Sequence, residues 1–489
     1  MKAPRPQKSP RFMKGIRVAG RPVTPLSFSS LWLLRAFSSF WPPSFSSITV
    51  PGECLTTRPR ASAKATLGSE GPKIFCRTLA TTRATVPFPV RGNMRTVSVP
   101  DMLWYGNKPL KLRFPDIWEL EVLKPPGFDK PTISAEAIGE AFESPIDSPR
   151  LDELGREARE VVIAFDDITR PTPVKLVLPW VMEALKRAGI EDENIRFIPA
   201  LGMHGAMNNI DFRKKLGDSI VESYPVYNHN PYENCLYLGE SPGGTPVYVN
   251  REFMSCDLRI GIGCITPHVH AGFGGGGKIV LPGLCGAETI KAFHRDVMMR
   301  DPASIGLGKS DGNVMHREIV DVAKMSGLQL KIDALINGKG EISDLFVGDP
   351  VAEYAVGLEE AKKHYATAPS PGKDIVVANA YAKYNEMGIC MLMALSSVNM
   401  AKGTIVLVVN SPEGQVCHYL LRSFGKDYGG ELYLKMGAPP EGLKVIVCSR
   451  YPDKTMCDLF AAAQSVVVTK DWDETLSLLE KDYPSHATV

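Results

Sequence analysis

The stretch EVVIAFDDITRPTP, residues 160–173, decides the fold class. After Glu160 it has a run of apolar and β-branched residues, which predicts a buried strand. A polar turn with two prolines follows, and a helical pattern then continues to about Ala188. A buried strand that leads through a loop into a helix is the repeating unit of parallel α/β sheets. The sequence therefore predicts an α/β protein.

Apolar runs of strand length recur along the chain in two series. The first continues with residues 194–200, 235–239, 245–250 and 257–265, and the second, after a linker at 368–374, has residues 375–380, 404–410, 444–449 and 465–470. We predict two domains, each a largely parallel sheet flanked by helices, with the active site in the cleft between them. The predicted boundaries are 94–368 for the catalytic and cofactor-attachment domain, 369–471 for a doubly wound domain, and 472–489 for a terminal helix that packs on the second domain or returns to the first.

Residues 1–93 differ in composition from the rest of the chain. They hold 15 of the 56 Lys and Arg residues but only two of the 54 Asp and Glu residues, and they are rich in Ser and Pro. Such a segment is typical of an organellar transit peptide, or it is an upstream extension with Met94 as the true start. We favour the extension and exclude the segment from the fold, as disordered or absent from the mature protein.

The remaining chain is mildly acidic and has no apolar run of the roughly 20 residues that span a bilayer. These properties argue against nucleic acid and membrane partners and leave a small molecule as the expected partner. The cysteines after Met94 form no C-x-x-C pair, and several lie in apolar runs. That pattern favours reduced, buried cysteine in a cytoplasmic protein over a disulfide frame or a zinc site.

The stretch PHVHAGFGGGGKIVLPG, residues 267–283, nearly spells a phosphate loop, but Ile279 stands where such a loop has Ser or Thr. The β-branched residues and Pro282 that follow also predict no helix at Lys278. Lys278 could be a point charge for phosphate, a nucleophile that becomes attached to a cofactor, or a solvated surface lysine.

Three histidines lie where strands are predicted to end or just beyond the glycine loop. His204 lies in LGMHGAM after one strand, His268 follows another, and His294 lies on a helix predicted from about Ala287 to Met299. Any of them alone is more often structural than functional. Together, His204 and His268 are candidates for proton transfer, because imidazole titrates near neutral pH. His294 is a candidate lone ligand to a metal already held by another group, and His270 has no predicted role.

In DDITRP, Arg170 offers a planar fork that suits a substrate carboxylate. Alternatively, an Asp or Thr of this loop caps the following helix and Arg170 pairs with an Asp. Both interpretations can hold at once, with one Asp capping the helix and the other orienting a histidine. The carboxyl ends of parallel strands gather at one edge of a sheet, so this loop, the His204 loop and the glycine loop are expected to converge there.

These motifs together resemble the nickel-pincer-nucleotide lactate racemase family, the LarA-like proteins. The resemblance rests on DDITRP, LGMHGAM, PHVHAGFGGGGKIVLPG and the downstream His294, which occur in this order and cover the chain from about Met94. The ten-residue step from His268 to Lys278 and the sixteen-residue step to His294 also fit the family.

The resemblance implies a cofactor and roles for these residues. Lys278 would carry the nickel-pincer nucleotide (pyridinium-3,5-bisthiocarboxylic acid mononucleotide nickel) in covalent linkage, and His294 would bind its nickel. His204 and His268 would be the acid/base pair, with Asp167 and Arg170 binding and orienting the substrate. The glycines would make room for the nucleotide; they are Gly274, Gly275, Gly276 and Gly277.

The implied function is a racemase or epimerase that inverts the hydroxyl-bearing carbon of a 2-hydroxy acid by reversible hydride transfer to the cofactor. In the lactate enzymes a Gln and a Lys of the second domain grip the substrate, whereas Gly388 and Met391 fall near those positions here. Met387, Cys390 and Met391 predict a less polar pocket wall, Lys383 and Tyr384 could replace the lost polar contacts, and the expected substrate is not lactate. The alternatives are a glycine-loop transferase that binds a nucleotide or phosphate, and a non-catalytic homologue that binds a ligand.

Overall fold

The computed structural model describes residues 93–421, 430–432, 439–457, 460 and 465–489. The predicted extension at 1–93 lies outside the described residues, apart from its last one. The strands of the described part are β1 Met94–Val99, β2 Leu110–Pro115, β3 Val161–Asp166, β4 Ile195–Ala200, β5 Cys235–Glu240, β6 Pro246–Asn250, β7 Leu258–Cys264, β8 Pro267–His268, β9 Gly272–Phe273, β10 Leu330–Ile336, β11 Ile342–Gly348, β12 Ile375–Asn379, β13 Thr404–Val408, β14 Lys444–Cys448 and β15 Val466–Thr469. Its α-helices are α1 Ala135–Glu143, α2 Leu151–Leu154, α3 Leu178–Arg187, α4 Asn209–Leu216, α5 Asp218–Ser223, α6 Arg251–Ser255, α7 Ala287–Ala292, α8 Met298–Arg300, α9 Val314–Met325, α10 Ala352–Tyr365, α11 Met387–Leu395 and α12 Trp472–Asp482.

The larger sheet has the strand order β11-β10-β7-β3-β4. Its strands run parallel except β11, which forms an antiparallel hairpin with β10 at one edge. Every residue of β3 is buried, as expected for a central strand covered on both faces. Alternate residues of β3 point into the two apolar cores on opposite faces of the sheet, with Ile163 in one and Val162 in the other. The predicted α/β class with a largely parallel sheet is confirmed.

The smaller sheet, β12-β13-β14-β15, is parallel throughout. One face packs on α11, and the other packs on α12 through Trp472 and Leu476. The β1–β2 hairpin joins α12 on that face, where Leu112 and Phe114 contact the same core. The terminal helix therefore packs on the second sheet, and so do the first described strands, which the predicted boundary at 368 assigns to the first domain.

Two predicted elements differ in detail from the structure. The runs at 235–239 and 245–250 do form strands, but β5 and β6 form an antiparallel hairpin that lies outside the larger sheet. The helix predicted from Ala287 to Met299 exists, but residues Phe293–Val297 form a π-helical turn between α7 and α8.

No helix among the described residues is both long and apolar enough to cross a membrane. Several of the predicted buried cysteines are free thiols in the apolar cores, among them Cys264, Cys285 and Cys390. Burial raises the pKa of the Cys264 and Cys390 thiols to about 12, so these groups stay protonated and inert at neutral pH.

Candidate functional site

The three predicted loops leave the carboxyl ends of neighbouring strands. β3 leads into Asp167, β4 leads into the His204 loop, and β7 leads into His268. Asp167 and His204 meet directly, with 2.5 Å between Oδ2 and Nδ1. Burial would raise the pKa of Asp167, but His204, Arg170 and a hydrogen bond from Thr169 outweigh it and hold that pKa below its ordinary value. Asp167 is therefore an ionised carboxylate that fixes the ring of His204 and leaves Nε2 facing the site.

Asp166, the neighbouring carboxylate, has a structural task. Its Oδ1 accepts a hydrogen bond of 2.6 Å from Lys215, which is fully buried, and its Oδ2 accepts one from Thr172. Neither Asp caps α3. The N-cap residue of this helix is Val177, and the helix has no side-chain cap hydrogen bond. Of the predicted alternatives for this pair, the structure thus shows one Asp orienting a histidine.

Arg170 lies beside this pair with its side chain only 22% exposed. Its Nη1 donates to Oγ1 of Thr169 at 2.7 Å and to Oε2 of Glu386 at 3.0 Å. The guanidinium is thus held by the loop on one side and by the second domain on the other. A fork fixed in this way is suited to binding a carboxylate.

His268 is held differently from His204. Its Nδ1 accepts hydrogen bonds from the backbone N–H groups of His270 and Ala271, both at 3.2 Å. Burial, with the charges of Lys278 and its neighbours, holds the pKa of His268 well below the ordinary value. The ring is therefore neutral, and because Nδ1 is an acceptor, its proton lies on Nε2.

Three backbone N–H groups of the glycine loop form hydrogen bonds within the protein. The N–H groups of Gly274, Gly276 and Lys278 donate to Thr266 O, Asp333 Oδ2 and Gly275 O, respectively. Lys278 lies in a short 3₁₀ turn, Gly276–Ile279, and no α-helix begins there, as predicted. A phosphate cradle needs amides that point outward, so this loop does not have the form of a nucleotide triphosphate site.

The space beside most of these glycines is filled by the protein itself. A Cβ on Gly275, Gly276 or Gly277 would lie under 3.0 Å from side-chain atoms of Ile265, Tyr354 and Ala323, respectively. At Gly274 the nearest atoms are 3.6 Å away or more. Packing therefore requires glycine at the three later positions, whereas a methyl group at Gly274 would make only ordinary contacts with Thr266 and Lys278.

We expect Gly277→Ala to lower the free energy of unfolding by about 1–3 kcal/mol, because the added methyl overlaps Ala323 and the carbonyl oxygen of Ile319. Gly274→Ala is the matched control, since its methyl makes only ordinary contacts. Urea unfolding followed by circular dichroism measures both variants. Equal stabilities for the two would contradict the packing argument.

Lys278 is an unusual lysine. Among the described residues its Nζ makes no hydrogen bond or ion pair, and burial, with the nearby charges of Arg170 and Lys383, lowers its pKa to about 7. A large fraction of the amine is then unprotonated at neutral pH, which is the nucleophilic form. The structure thus fits an attachment point better than a solvated surface lysine.

This lowered pKa predicts how the reactivity of Lys278 changes with pH. In cofactor-free protein, acylation of Lys278 by a trace of acetic anhydride should accelerate about tenfold per pH unit below 7 and level off above it, because the neutral amine then predominates. A lysine-containing peptide in the same mixture should keep accelerating toward pH 10. Peptide mass spectrometry gives both rates, and parallel pH profiles would show that the site does not lower the pKa.

His294 lies in the π-helical turn, a local geometry often found at functional sites. Its Nδ1–H donates to Ile290 O at 2.9 Å, so Nε2 carries the lone pair. Burial, with His270 nearby, lowers the pKa of His294 to about 3, so the ring is neutral, as a metal ligand must be. The His270 ring lies between those of His268 and His294, 5.8 and 5.9 Å away between centroids.

The second domain contributes three residues to the site: Lys383, Glu386 and His418. Lys383 Nζ donates to Thr169 O at 2.9 Å and to Glu386 Oε2 at 2.6 Å. The His418 ring lies edge-on to that of His204, 5.0 Å between centroids, and burial lowers the pKa of His418 to about 3. Lys383 was predicted as a possible polar contact, whereas Glu386 and His418 were missed.

The other second-domain residues that were predicted to line the pocket or contact the substrate do not lie in the site. Met387, Cys390, Met391 and Tyr384 are buried in the core under the smaller sheet. They belong to the packing of α11 rather than to a pocket wall, because this face of the helix turns toward β12 and β13.

Comparison with known proteins gives matches to one family. Residues 105–306 match the family model "Lactate racemase N-terminal domain", and this range contains the predicted site residues of the first domain. This match, with the relatives below, supports a LarA-like lactate racemase family for the chain. It is 24% identical over 379 residues to a lactate racemase of Thermoanaerobacterium thermosaccharolyticum, covering 76% of this chain and 84% of that protein. It is 28% identical over 285 residues to a lactate racemase of Lactiplantibacillus plantarum, covering 57% and 66%.

The fold also agrees with that of a solved LarA-like protein. The lactate racemase apoprotein from Thermoanaerobacterium thermosaccharolyticum superposes with a TM-score of 0.59 at 21% identity, covering 81% of this chain and 98% of that one. Lys383 and Glu386 lie beyond residues 105–306, so these two site residues come from a part of the chain that the family model does not cover.

Proposed function

We propose that the chain is a racemase or epimerase that inverts the hydroxyl-bearing carbon of a 2-hydroxy acid other than lactate. One observation carries the proposal: an Asp-oriented histidine, His204, lies near a partly buried arginine fork and within the same loop cluster as Lys278, a lysine with a depressed pKa. Similarity to lactate racemases supports an isomerase, and the relatives' names state lactate only for those proteins.

The residues present fit the nickel-pincer nucleotide that the family uses. Lys278 offers an amine that is unpaired among the described residues and largely in the nucleophilic form, and His294 presents Nε2 of a neutral ring. Among the described residues no group of three or more His, Cys, Asp or Glu could hold a metal, so nickel here needs ligands from a bound group. We propose that Lys278 carries this group and that His294 binds its nickel, since imidazole suits nickel.

The chain's own residues bind and orient the substrate. Arg170 would bind its carboxylate, which fixes the α-carbon relative to both histidines. His204 accepts the hydroxyl proton at Nε2, because Asp167 holds the Nδ1–H and stabilises the imidazolium that forms. His268 presents an Nε2–H, so it is the hydrogen-bond donor to an oxygen on its side of the carbon.

The bound group would supply a reversible acceptor for the α-hydrogen, which leaves as hydride. With such an acceptor present, the hydrogen could be restored on either face of the carbon, which would give either configuration. The side chains of His204 and Arg170 are only 12% and 22% exposed, which limits the access of water to these positions. No net redox change results.

The substrate can be found by a screen of single-enantiomer 2-hydroxy acids and sugar acids. Protein from a cofactor-producing host is incubated with each compound, and loss of the circular dichroism signal reports inversion. Absence of inversion for all compounds, with a confirmed adduct on Lys278, would favour the non-catalytic homologue. The nucleotide-binding transferase is disfavoured because the loop amides of Gly274 and Gly276 are already bonded within the protein.

A further inference from the structure

Glu386 brings a second-domain carboxylate into the candidate site. It lies just before α11, with its side chain 13% exposed. Its Oε2 accepts hydrogen bonds from Arg170 and Lys383, and its Oε1 lies 3.5 Å from Nε2 of His204. Burial would raise the pKa of Glu386, but Lys383 and Arg170 outweigh it and hold that pKa well below its ordinary value, so this carboxylate is ionised.

These contacts are the ones that a 2-hydroxy acid needs. Its carboxylate requires Arg170, and its hydroxyl requires Nε2 of His204, because Nδ1 of that ring is already held by Asp167. An oxygen that makes hydrogen bonds of about 2.8 Å to two atoms at a roughly tetrahedral angle holds those atoms about 4.6 Å apart. At 3.5 Å, Nε2 of His204 and Oε1 of Glu386 are too close for a substrate oxygen to bond both with that geometry.

The segment that carries Glu386 is strained. Tyr381 has a φ of 27°, a region that non-glycine residues rarely adopt. Glu386 is the N-cap residue of α11, but its side chain makes no cap hydrogen bond, and within the described part of the chain the buried Oδ1 of Asn385 has no hydrogen-bond partner. A rearrangement of residues 381–386 would relieve these costs, so Glu386 can leave the site without unfolding α11.

We propose that Glu386 is a specificity-determining residue that occupies the substrate's carboxylate position in the ligand-free protein, so that a 2-hydroxy acid binds by displacing it. This inference rests on the proposed function for the nature of the ligand. Displacement leaves Arg170 and Lys383 facing the incoming carboxylate. The single carboxylate of Glu386 pairs with both Arg170 and Lys383. A substrate with one carboxylate can therefore replace it.

Glu386→Asp is the decisive variant, because it keeps the charge and withdraws the carboxylate by one methylene. The probe is 2-hydroxy-2-methylpropanoate, which has no α-hydrogen and therefore cannot turn over. Isothermal titration of the full-length chain from the cofactor-producing host should give about tenfold tighter binding for Glu386→Asp than for the wild type, since one charge-assisted competitor is removed. Glu386→Gln should also bind the probe more tightly. Arg170→Ala should abolish binding of the probe, both alone and in combination with either Glu386 variant.

The control is Glu413→Asp, a shortened second-domain carboxylate that pairs with Lys214 at 2.6 Å outside the site. It should leave probe binding unchanged, and melting curves show whether each variant folds. Equal or weaker binding by Glu386→Asp would overturn the proposal and make Glu386 a residue that merely positions Arg170. Undetectable binding by Glu386→Asp would overturn it as well. A missing adduct on Lys278 would instead refute the proposed cofactor, and the titration does not depend on that result.

Discussion

Lys278→Ala is expected to abolish turnover and to remove any covalent adduct from the protein. The amine of Lys278 is the nucleophile proposed for attachment, and its pKa of about 7 keeps much of it unprotonated at neutral pH. Without the amine nothing can be linked, so activity should fall to the level of buffer. Intact-mass analysis of protein from a cofactor-producing host measures the adduct, and metal analysis of the same sample should find about one nickel per chain in the wild type only.

The matched control for this experiment is Lys291→Ala. Lys291 lies on α7, and its ammonium pairs with Glu431 at 2.7 Å at the protein surface. This variant should keep the adduct and the activity. An adduct of undiminished mass on Lys278→Ala would place the attachment elsewhere, and an unmodified wild type without nickel would contradict the proposed cofactor.

The strands that position the site could be predicted because their residues are locally informative. Val161 to Phe165 are apolar and mostly β-branched or aromatic, and a polar turn bounds them. Strand β10 was not predicted, since Lys331 and Asp333 interrupt its apolar run. Both charges are buried and bind each other, which only the folded structure reveals. Tertiary pairing here overrides the polarity of the local sequence.

The site residues also fall into two groups: those that the local sequence indicates and those that only the folded structure reveals. Asp167, His204 and Lys278 occur in compact motifs, so the sequence indicated them and the parallel sheet explained their convergence. Glu386 lies 182 residues and His418 lies 214 residues along the chain from His204, the histidine they approach. Neither belongs to a local pattern with a chemical meaning, because their role depends on how the two sheets pack. The sequence held one signal for Glu386, which is its position three residues after Lys383. Residues with opposite charges at this spacing can form an ion pair, as these two do.

His204→Ala should reduce turnover by about 10²- to 10⁴-fold while the adduct on Lys278 remains, because the variant loses proton transfer but not attachment. Asp167→Asn should have a similar effect for a different reason. An amide cannot stabilise the imidazolium, and it can donate to Nδ1, which would turn the proton of His204 toward the substrate. The rate of inversion and the intact mass, measured on the same samples, separate catalysis from attachment.

The control for both variants is His486→Ala, which removes a histidine 64% exposed near the C-terminus and should leave the rate and the adduct unchanged. A wild-type rate in His204→Ala would assign the base to another group, and His418, whose ring lies 5.0 Å away, would then be the residue to replace next.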